Sequence, residues 1–218
     1  MTKTATLIGA SGLIGSQLLQ LLLDDPYFDK VKILVRRKLQ TTHQKLEQKI
    51  VDFNDSDSLL VAMDNSDAVF CTVGTTQKKV KGDKEAYRKV DYDIPVKAAQ
   101  FCKMTGCETF ILVSAVGANN KANNFYLKLK GEVEDVVKTV GIRSVYIMRP
   151  SMLVGNRKEY RFGEKVITPV MKTLSFLLPS KYKPIQAEDV AKAMFRAAKK
   201  NEEGFYVWEY REMRKHEV

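Results

Sequence analysis

The stretch Leu7-Ile8-Gly9-Ala10-Ser11-Gly12-Leu13-Ile14-Gly15 constrains this chain more than any other. A short run, Thr4-Ala5-Thr6, precedes it. An apolar helical pattern, Leu18, Leu19, Leu21, Leu22 and Leu23, follows. The order is strand, glycine turn, helix. Glycines let the backbone come close to a pyrophosphate, and free N–H groups at a helix N-terminus attract its negative charge. The spacing is G-x-x-G-x-x-G rather than G-x-G-x-x-G. Three glycines alone are weak evidence; the strand before, the helix after and the position at the start of the chain favour a phosphate site over an ordinary tight turn.

The rest of the chain repeats strand and helix at short spacing. The first helix runs to about Leu23 and stops at Asp24-Asp25-Pro26. Lys30 to Val35 reads as a second strand, and a polar segment without clear period covers Lys38 to Gln48. Ile50-Val51-Asp52-Phe53 reads as a third strand and Asp55 to Met63 as a short helix capped by Asn54 or Asp55. A fourth strand, Asp67 to Gly74, leads into a lysine-rich loop, Thr75 to Asp83. Lys84 to Met104 reads as a long helix interrupted only by Pro95, with Val90, Ile94, Ala98 and Phe101 on its buried face. The fifth strand, Thr109 to Val113, is almost wholly apolar, as expected when helices cover both faces. A helix over Phe125 to Val140 and a sixth strand, Ser144 to Met148, come next. This pattern predicts an α/β fold, a Rossmann-type doubly wound parallel sheet with the ligand at its carboxyl edge. The 218 residues suit a single domain, 1–218, with a core over 1–150 and a smaller substrate-side extension over 151–218. In that extension Gln186 to Lys200 is amphipathic, Phe205 to Trp208 reads as an edge strand, and Arg211 to Val218 as a charged, mobile tail.

Composition narrows the function classes. No apolar run reaches the roughly 20 residues needed to span a membrane. Met1-Thr2-Lys3 leads straight into the first strand, which argues against a signal peptide. Cys71, Cys102 and Cys107 are odd in number and form no CxxC pair, so a disulfide framework is not expected and a reducing, cytoplasmic setting is. His43 and His216 have no partners at metal-ligand spacing, so no metal site is expected. The net charge of +10 is mostly scattered lysine. With no aromatic-rich RNA signature and no helix-turn-helix signal, a nucleic-acid partner is not expected.

Several side chains carry candidate chemistry. Arg36 and Arg37 end the second strand, where a dinucleotide fold meets the adenosine ribose. An acid there bonds the 2′-hydroxyl of NAD, whereas an arginine accommodates the 2′-phosphate of NADP. Asp52 either accepts from the adenine amino group or is a capping or solvated acid. Thr72, Val73 and Gly74 leave the fourth strand on the same edge, where their backbone would line the cofactor. Tyr126 and Lys130 are spaced i, i+4 and project from one helix face, and Ser114 ends the strand before them. A phenol's ordinary pKa is about 10, and an adjacent ammonium lowers it. Together the three could form an acid–base site.

These residues jointly resemble the short-chain dehydrogenase/reductase superfamily, in its atypical or extended type. The better match is the atypical group related to the Tat-interacting protein, a pyridine-nucleotide-binding, oxidoreductase-like family. The matching segments are Leu7 to Gly12, Arg36 to Leu39, Val51 to Phe53, Gly74 to Thr76, Val90-Asp91, Tyr126 and Lys130 to Glu134, and Arg149-Pro150. The resemblance implies that Ser11, Gly12, Leu13 and Ile14 hold the pyrophosphate of NADP(H), with Gly9 and Gly15 among the cofactor-binding residues, and that Arg36 and Arg37 hold its 2′-phosphate. Val73 and Gly74 would border the adenosine, and Asp52, Phe53 and Thr72 count among the candidate cofactor-binding residues. Tyr126 would be the proton donor, and Lys130 would bond the nicotinamide ribose. The loop Pro150 to Leu153 would face the nicotinamide, and Arg161 would close over the cofactor. One departure stands out. Where many members carry an asparagine that supports a proton-relay water, this chain has Asp91.

The expectation is an NADP(H)-dependent oxidoreductase that moves hydride to or from a small carbonyl or alcohol substrate, with Ser114 steadying the oxyanion. The alternatives are an NADPH-binding sensor acting through protein partners and a nucleotide-sugar epimerase or dehydratase. Against the last stand the short C-terminal part and the two arginines. Monomer and homodimer are both open.

Overall fold

The computed structural model describes residues 2–154 and 179–215. Its centre is a seven-stranded sheet in the order β3-β2-β1-β4-β5-β6-β9, every pairing parallel. The strands are β1 (Thr4–Ile8), β2 (Lys30–Val35), β3 (Leu46–Ile50), β4 (Ala68–Cys71), β5 (Thr109–Val113), β6 (Ser144–Met148) and β9 (Gly204–Trp208). The two-residue strands β7 (Leu153–Val154) and β8 (Ile185–Gln186) pair apart from it. The expected α/β doubly wound architecture is therefore present. The strand order reverses between β1 and β4, the switch point where such sheets bind ligands.

Each face of the sheet has its own core, because side chains alternate along a strand. Phe70, Ile111, Tyr146 and Met148 project to one side. They pack with Leu18 and Leu22 of α1 (Leu13–Asp24) and with Val190 and Met194 of α6 (Ala187–Lys200). Val69, Phe110, Leu112 and Ile147 project to the other. There they meet Leu59 and Met63 of α2 (Ser56–Met63), Phe101 of α4 (Ile94–Met104), and Val133 and Val137 of α5 (Phe125–Thr139). Asp55 caps α2 by accepting from the Asp57 amide, and Asn124 caps α5 by accepting from Leu127.

Three elements differ from expectation. The third strand is Leu46–Ile50, beginning inside the segment read as aperiodic, and not Ile50 to Phe53. It is an edge strand held partly by charge: Glu47 pairs with Lys30 on β2 at 2.5 Å and with Lys49. Val51 is buried and donates to Val35 at 3.0 Å, and Phe53 packs into the second core. The long helix is not broken at Pro95, which lies buried in the first turn of α4. Before it come α3 (Lys84–Arg88) and one π-helical turn, Lys89–Asp93. A proline cannot donate to the carbonyl four residues earlier, here that of Asp91, and the wider turn accommodates the loss. The expected mobile tail contains α7 (Tyr210–Arg214). It carries a capping box between Glu209 and Glu212, buries Met213, and pairs Arg214 with Asp189 at 2.7 Å.

Candidate functional site

The turn between β1 and α1 is as tight as its glycines allow. Gly9 sits at φ +96°, and a Cβ there would lie 2.6 Å from Thr72 Oγ1. At Gly15 a Cβ would lie 2.1 Å from the Gly9 carbonyl oxygen. Thr72 fixes the turn from β4, its hydroxyl donating to the carbonyls of Ile8 at 3.1 Å and Gly9 at 3.2 Å. Gly12 is the N-cap of α1, and no side chain caps it. The first-turn amides therefore have neither a helical carbonyl nor a capping oxygen, the arrangement that receives an anion. These residues fit the diphosphate of a dinucleotide.

Beside that turn a narrow cleft of about 50 Å³ joins the glycine turn to the acid–base candidates. Gly12, Leu13 and Ile14 line it with Val73, Gly74, Ser114, Tyr126, Lys130 and Leu153. The expected residues of β1–α1, β4, β5 and α5 thus meet in one place. A second, open groove of about 460 Å³ lies on the other side of α1, between Ser11 and Ser16 and the segment Lys38 to Thr41. Arg36 and Arg37 are exposed just before that segment, and among the described residues neither forms an ion pair. Asp52 is exposed too, its carboxylate accepting from the Asn54 amide at 2.9 Å, and neither it nor Phe53 lines the cleft or the groove. The Pro150 carbonyl accepts from Val116 at 3.0 Å, and Pro150 is not among the cleft residues. Arg161 lies outside the described residues.

Two buried charge pairs underlie the cleft. Lys130 is 3% exposed, and its Nζ lies 3.1 Å from Asp91 Oδ1. Asp91 is fully buried by the π-helical turn, and its other oxygen accepts from the Thr75 amide at 2.7 Å. The Tyr87 hydroxyl donates to the Thr75 carbonyl at 3.2 Å, so the start of the lysine-rich loop is tied to the site. The second pair is Glu134 with Arg149. Arg149 donates from Nη2 at 2.5 Å and from Nε at 3.1 Å, and the carboxylate beside it raises the guanidinium's pKa. The Ser114 hydroxyl also donates to Glu134.

Sequence reading quoted Asp91 and Glu134 within matching segments, marked Asp91 as a departure and gave Glu134 no role. The signal was present: Tyr126, Lys130 and Glu134 run i, i+4, i+8 along one face of α5, and the last two are charges on a buried row. Beneath the same site, burial pushes the Cys71 thiol up to about 11, with nearby Lys130 among the opposing influences. Cys71, Cys102 and Cys107 are all free and buried. No group of three metal-ligating side chains occurs among the described residues.

A family described as NAD(P)H-binding matches residues 9–201. The chain belongs to that NAD(P)H-binding family. Within it, this is an atypical short-chain dehydrogenase/reductase of the kind related to the Tat-interacting protein. The rat protein HTATIP2 is 36% identical over 74% of this chain and 67% of its own length. The protein FMP52, mitochondrial, of Candida albicans is 31% identical over 91% of this chain and 89% of its own length. Proteins of that name from Candida glabrata and Meyerozyma guilliermondii match comparably and are also called mitochondrial, which overturns the cytoplasmic expectation. Among solved structures, the Bordetella bronchiseptica enzyme WbmH in complex with NAD+ superposes with a TM-score of 0.73 at 20% identity, covering 96% of this chain and 76% of that one. A UDP-N-acetylglucosamine 4-epimerase from Methanobrevibacter ruminantium superposes with a TM-score of 0.71 at 19% identity, covering 95% and 76%. These two likenesses speak to the fold.

Proposed function

We propose that the protein is an NADP(H)-dependent oxidoreductase acting on a small alcohol or carbonyl substrate. The observation that carries this reading is the cleft itself, in which the uncapped start of α1 and the Tyr126–Lys130 face of α5 line one space. The nicotinamide cofactor supplies the hydride chemistry when bound. Gly9, Ser11, Gly12, Leu13, Ile14 and Gly15 hold its diphosphate through backbone amides. Arg36 and Arg37, which form no ion pair among the described residues, would hold the 2′-phosphate. Thr72, Val73, Gly74 and Leu153 border the ligand. Tyr126 holds the proton exchanged with the substrate oxygen. Lys130, kept in place by Asp91, supplies the positive charge beside it.

A Tyr126→Phe variant tests this. It should abolish NADPH-linked turnover across a panel of small carbonyls and alcohols while leaving NADPH affinity within about twofold, since the phenol hydroxyl is the only group removed. Turnover that survives refutes the role.

A second reading has one observation of its own. Asp91 stands where an asparagine would support a relay water, and its ion pair occupies the Lys130 amine. That favours a sensor that binds NADPH and acts through protein partners. A partner retained only in the presence of NADPH, with no turnover on the panel, would support it over the first reading.

A further inference from the structure

The loop that follows Gly74 carries positive charge that neither the cofactor nor Tyr126 uses. Gly74 lines the cleft, and Thr75 is anchored behind it, its amide on Asp91 and its carbonyl on the Tyr87 hydroxyl. From there residues 76–83 run out and return to α3 as an ordered turn. The Val80 amide donates to the Thr76 carbonyl at 3.3 Å, the Gly82 amide to Gln77 at 2.9 Å and the Asp83 amide to Val80 at 2.9 Å. Lys78, Lys81 and Lys84 are exposed here, and among the described residues they form no ion pair. Asp83 lies between them but turns its carboxylate into α3, where it accepts from the Glu85 amide at 2.8 Å and the Ala86 amide at 3.1 Å. Lys84 is the lysine that reaches back to the site. Its Nζ lies 5.6 Å from the centre of the half-buried Phe125 ring, next in the chain to Tyr126. Tyr87 stands edge-on to both rings, 5.7 Å from Phe125 and 6.4 Å from Tyr126, and Lys130 Nζ lies 6.0 Å from the Tyr126 ring. This aromatic group is thus flanked by two cations, Lys130 buried and paired with Asp91, Lys84 exposed and without an acid.

We propose that Lys84 holds a carboxylate of the substrate, so that the cleft acts on an anionic molecule in preference to a neutral one. The inference rests on the oxidoreductase reading of this cleft and adds to it the charge of the substrate and the residue that reads that charge. The cofactor does not need this lysine. The start of α1 fits its diphosphate, and the sheet order β2-β1-β4 puts Arg36 and Arg37 across the glycine turn from the loop. The reacting oxygen keeps its own partner, since the proton it exchanges stays between it and Tyr126. A carboxylate elsewhere on the same molecule has no proton to give and needs only donors, which an ammonium supplies. The Phe125 ring beside Lys84 keeps water from one side of such a pair and strengthens it over one in open solvent. Lys78 and Lys81 add like charge at the rim, which draws an anion towards the mouth of the cleft.

The test pairs carboxylates with primary amides of the same skeleton, levulinate with levulinamide and phenylglyoxylate with phenylglyoxylamide. The members of a pair differ in charge and hardly in shape. Their affinities are measured by ligand-observed NMR on the full chain saturated with NADP+, which cannot reduce a ketone. The carboxylate of each pair should bind about tenfold more tightly, the usual scale for a hydrogen bond between charged groups. The preference should shrink at about 500 mM salt, where such a pair is screened. Lys84→Gln should bring the two ligands within about twofold by weakening the carboxylate alone. Lys138→Gln removes the same charge from the last turn of α5 and should leave the preference intact. The inference is overturned if no carboxylate outbinds its amide, the case in which nothing binds included, or if the preference survives in Lys84→Gln. It is overturned as well if Lys138→Gln lowers the preference equally, since the net charge of +10 and not Lys84 would then attract the anion. NADP+ titration of the same sample separates the two levels. Absent NADP+ binding defeats the oxidoreductase reading and this inference with it, whereas NADP+ binding without a carboxylate preference defeats only the assignment of Lys84.

Discussion

Gly131 shows how much of the site depends on a single missing methyl. It lies in α5 one residue after Lys130, and a Cβ there would stand 2.3 Å from the Asn119 carbonyl carbon and the Asn120 nitrogen. Both are backbone atoms, so no side chain can swing aside. The close approach lets the loop between Ser114 and Phe125 lie against α5, where the Asn119 amide donates to the Leu127 carbonyl at 3.1 Å. Gly131→Ala should cost about 2–3 kcal/mol, the usual range for overpacking, and weaken NADPH binding as Lys130 shifts. Urea denaturation and titration check it; a variant of unchanged stability would mean that the loop is packed otherwise. Serine and glutamate act on a finer scale here. Ser114 was legible as a cleft residue because it ends an apolar strand before the Tyr126–Lys130 helix. The direction of its proton was not, since that depends on Glu134, twenty positions away.

Among the elements, β2 carries an unusual residue. Lys32 is 7% exposed between the buried apolar side chains of Val31 and Ile33, and it donates to the Asp64 carbonyl. Burial lowers its pKa below the ordinary 10.5, with the neighbouring Glu47 carboxylate opposing. The folded chain therefore sheds this proton before the unfolded chain does. Charged Lys32 costs stability at neutral pH, and wild-type stability recovers as pH rises from the folded value towards 10.5. Lys32→Met should stabilise by roughly 1 kcal/mol at pH 7, because Asp64 is exposed and its carbonyl can turn to water. The advantage should shrink in alkaline buffer. Thermal melts across pH check both parts, and a gain that grows with pH would contradict the account. The edge position of β3 also explains why it escaped the sequence pattern. Its residues alternate charge and amide with two apolar ends, and Glu47 is neutralised only once Lys30 and Lys49 are beside it. The π-helical turn was hidden for a different reason: Pro95 marks a disturbance without saying whether the helix breaks or widens.

Across the whole molecule, the doubly wound sheet was legible because its signals are local and repeated. Five of the six core strands appear where apolar or β-branched runs predict them, and the glycine turn marks the switch point. What depended on distant partners was not legible: the ion pairs beneath the cleft, and the docking of α7 through Met213 and Arg214 in place of a loose tail. Family membership brings NAD(P) binding with it. The choice between the two dinucleotides rests on Arg36 and Arg37.

Calorimetric titration of the purified protein with NADPH and with NADH decides that choice. The account predicts that NADPH binds at least about tenfold more tightly, with the difference lost in an Arg36→Ala, Arg37→Ala double variant, as expected when bidentate contacts to one phosphate are removed. Equal affinities in the wild-type protein, or a preference for NADH, would contradict it.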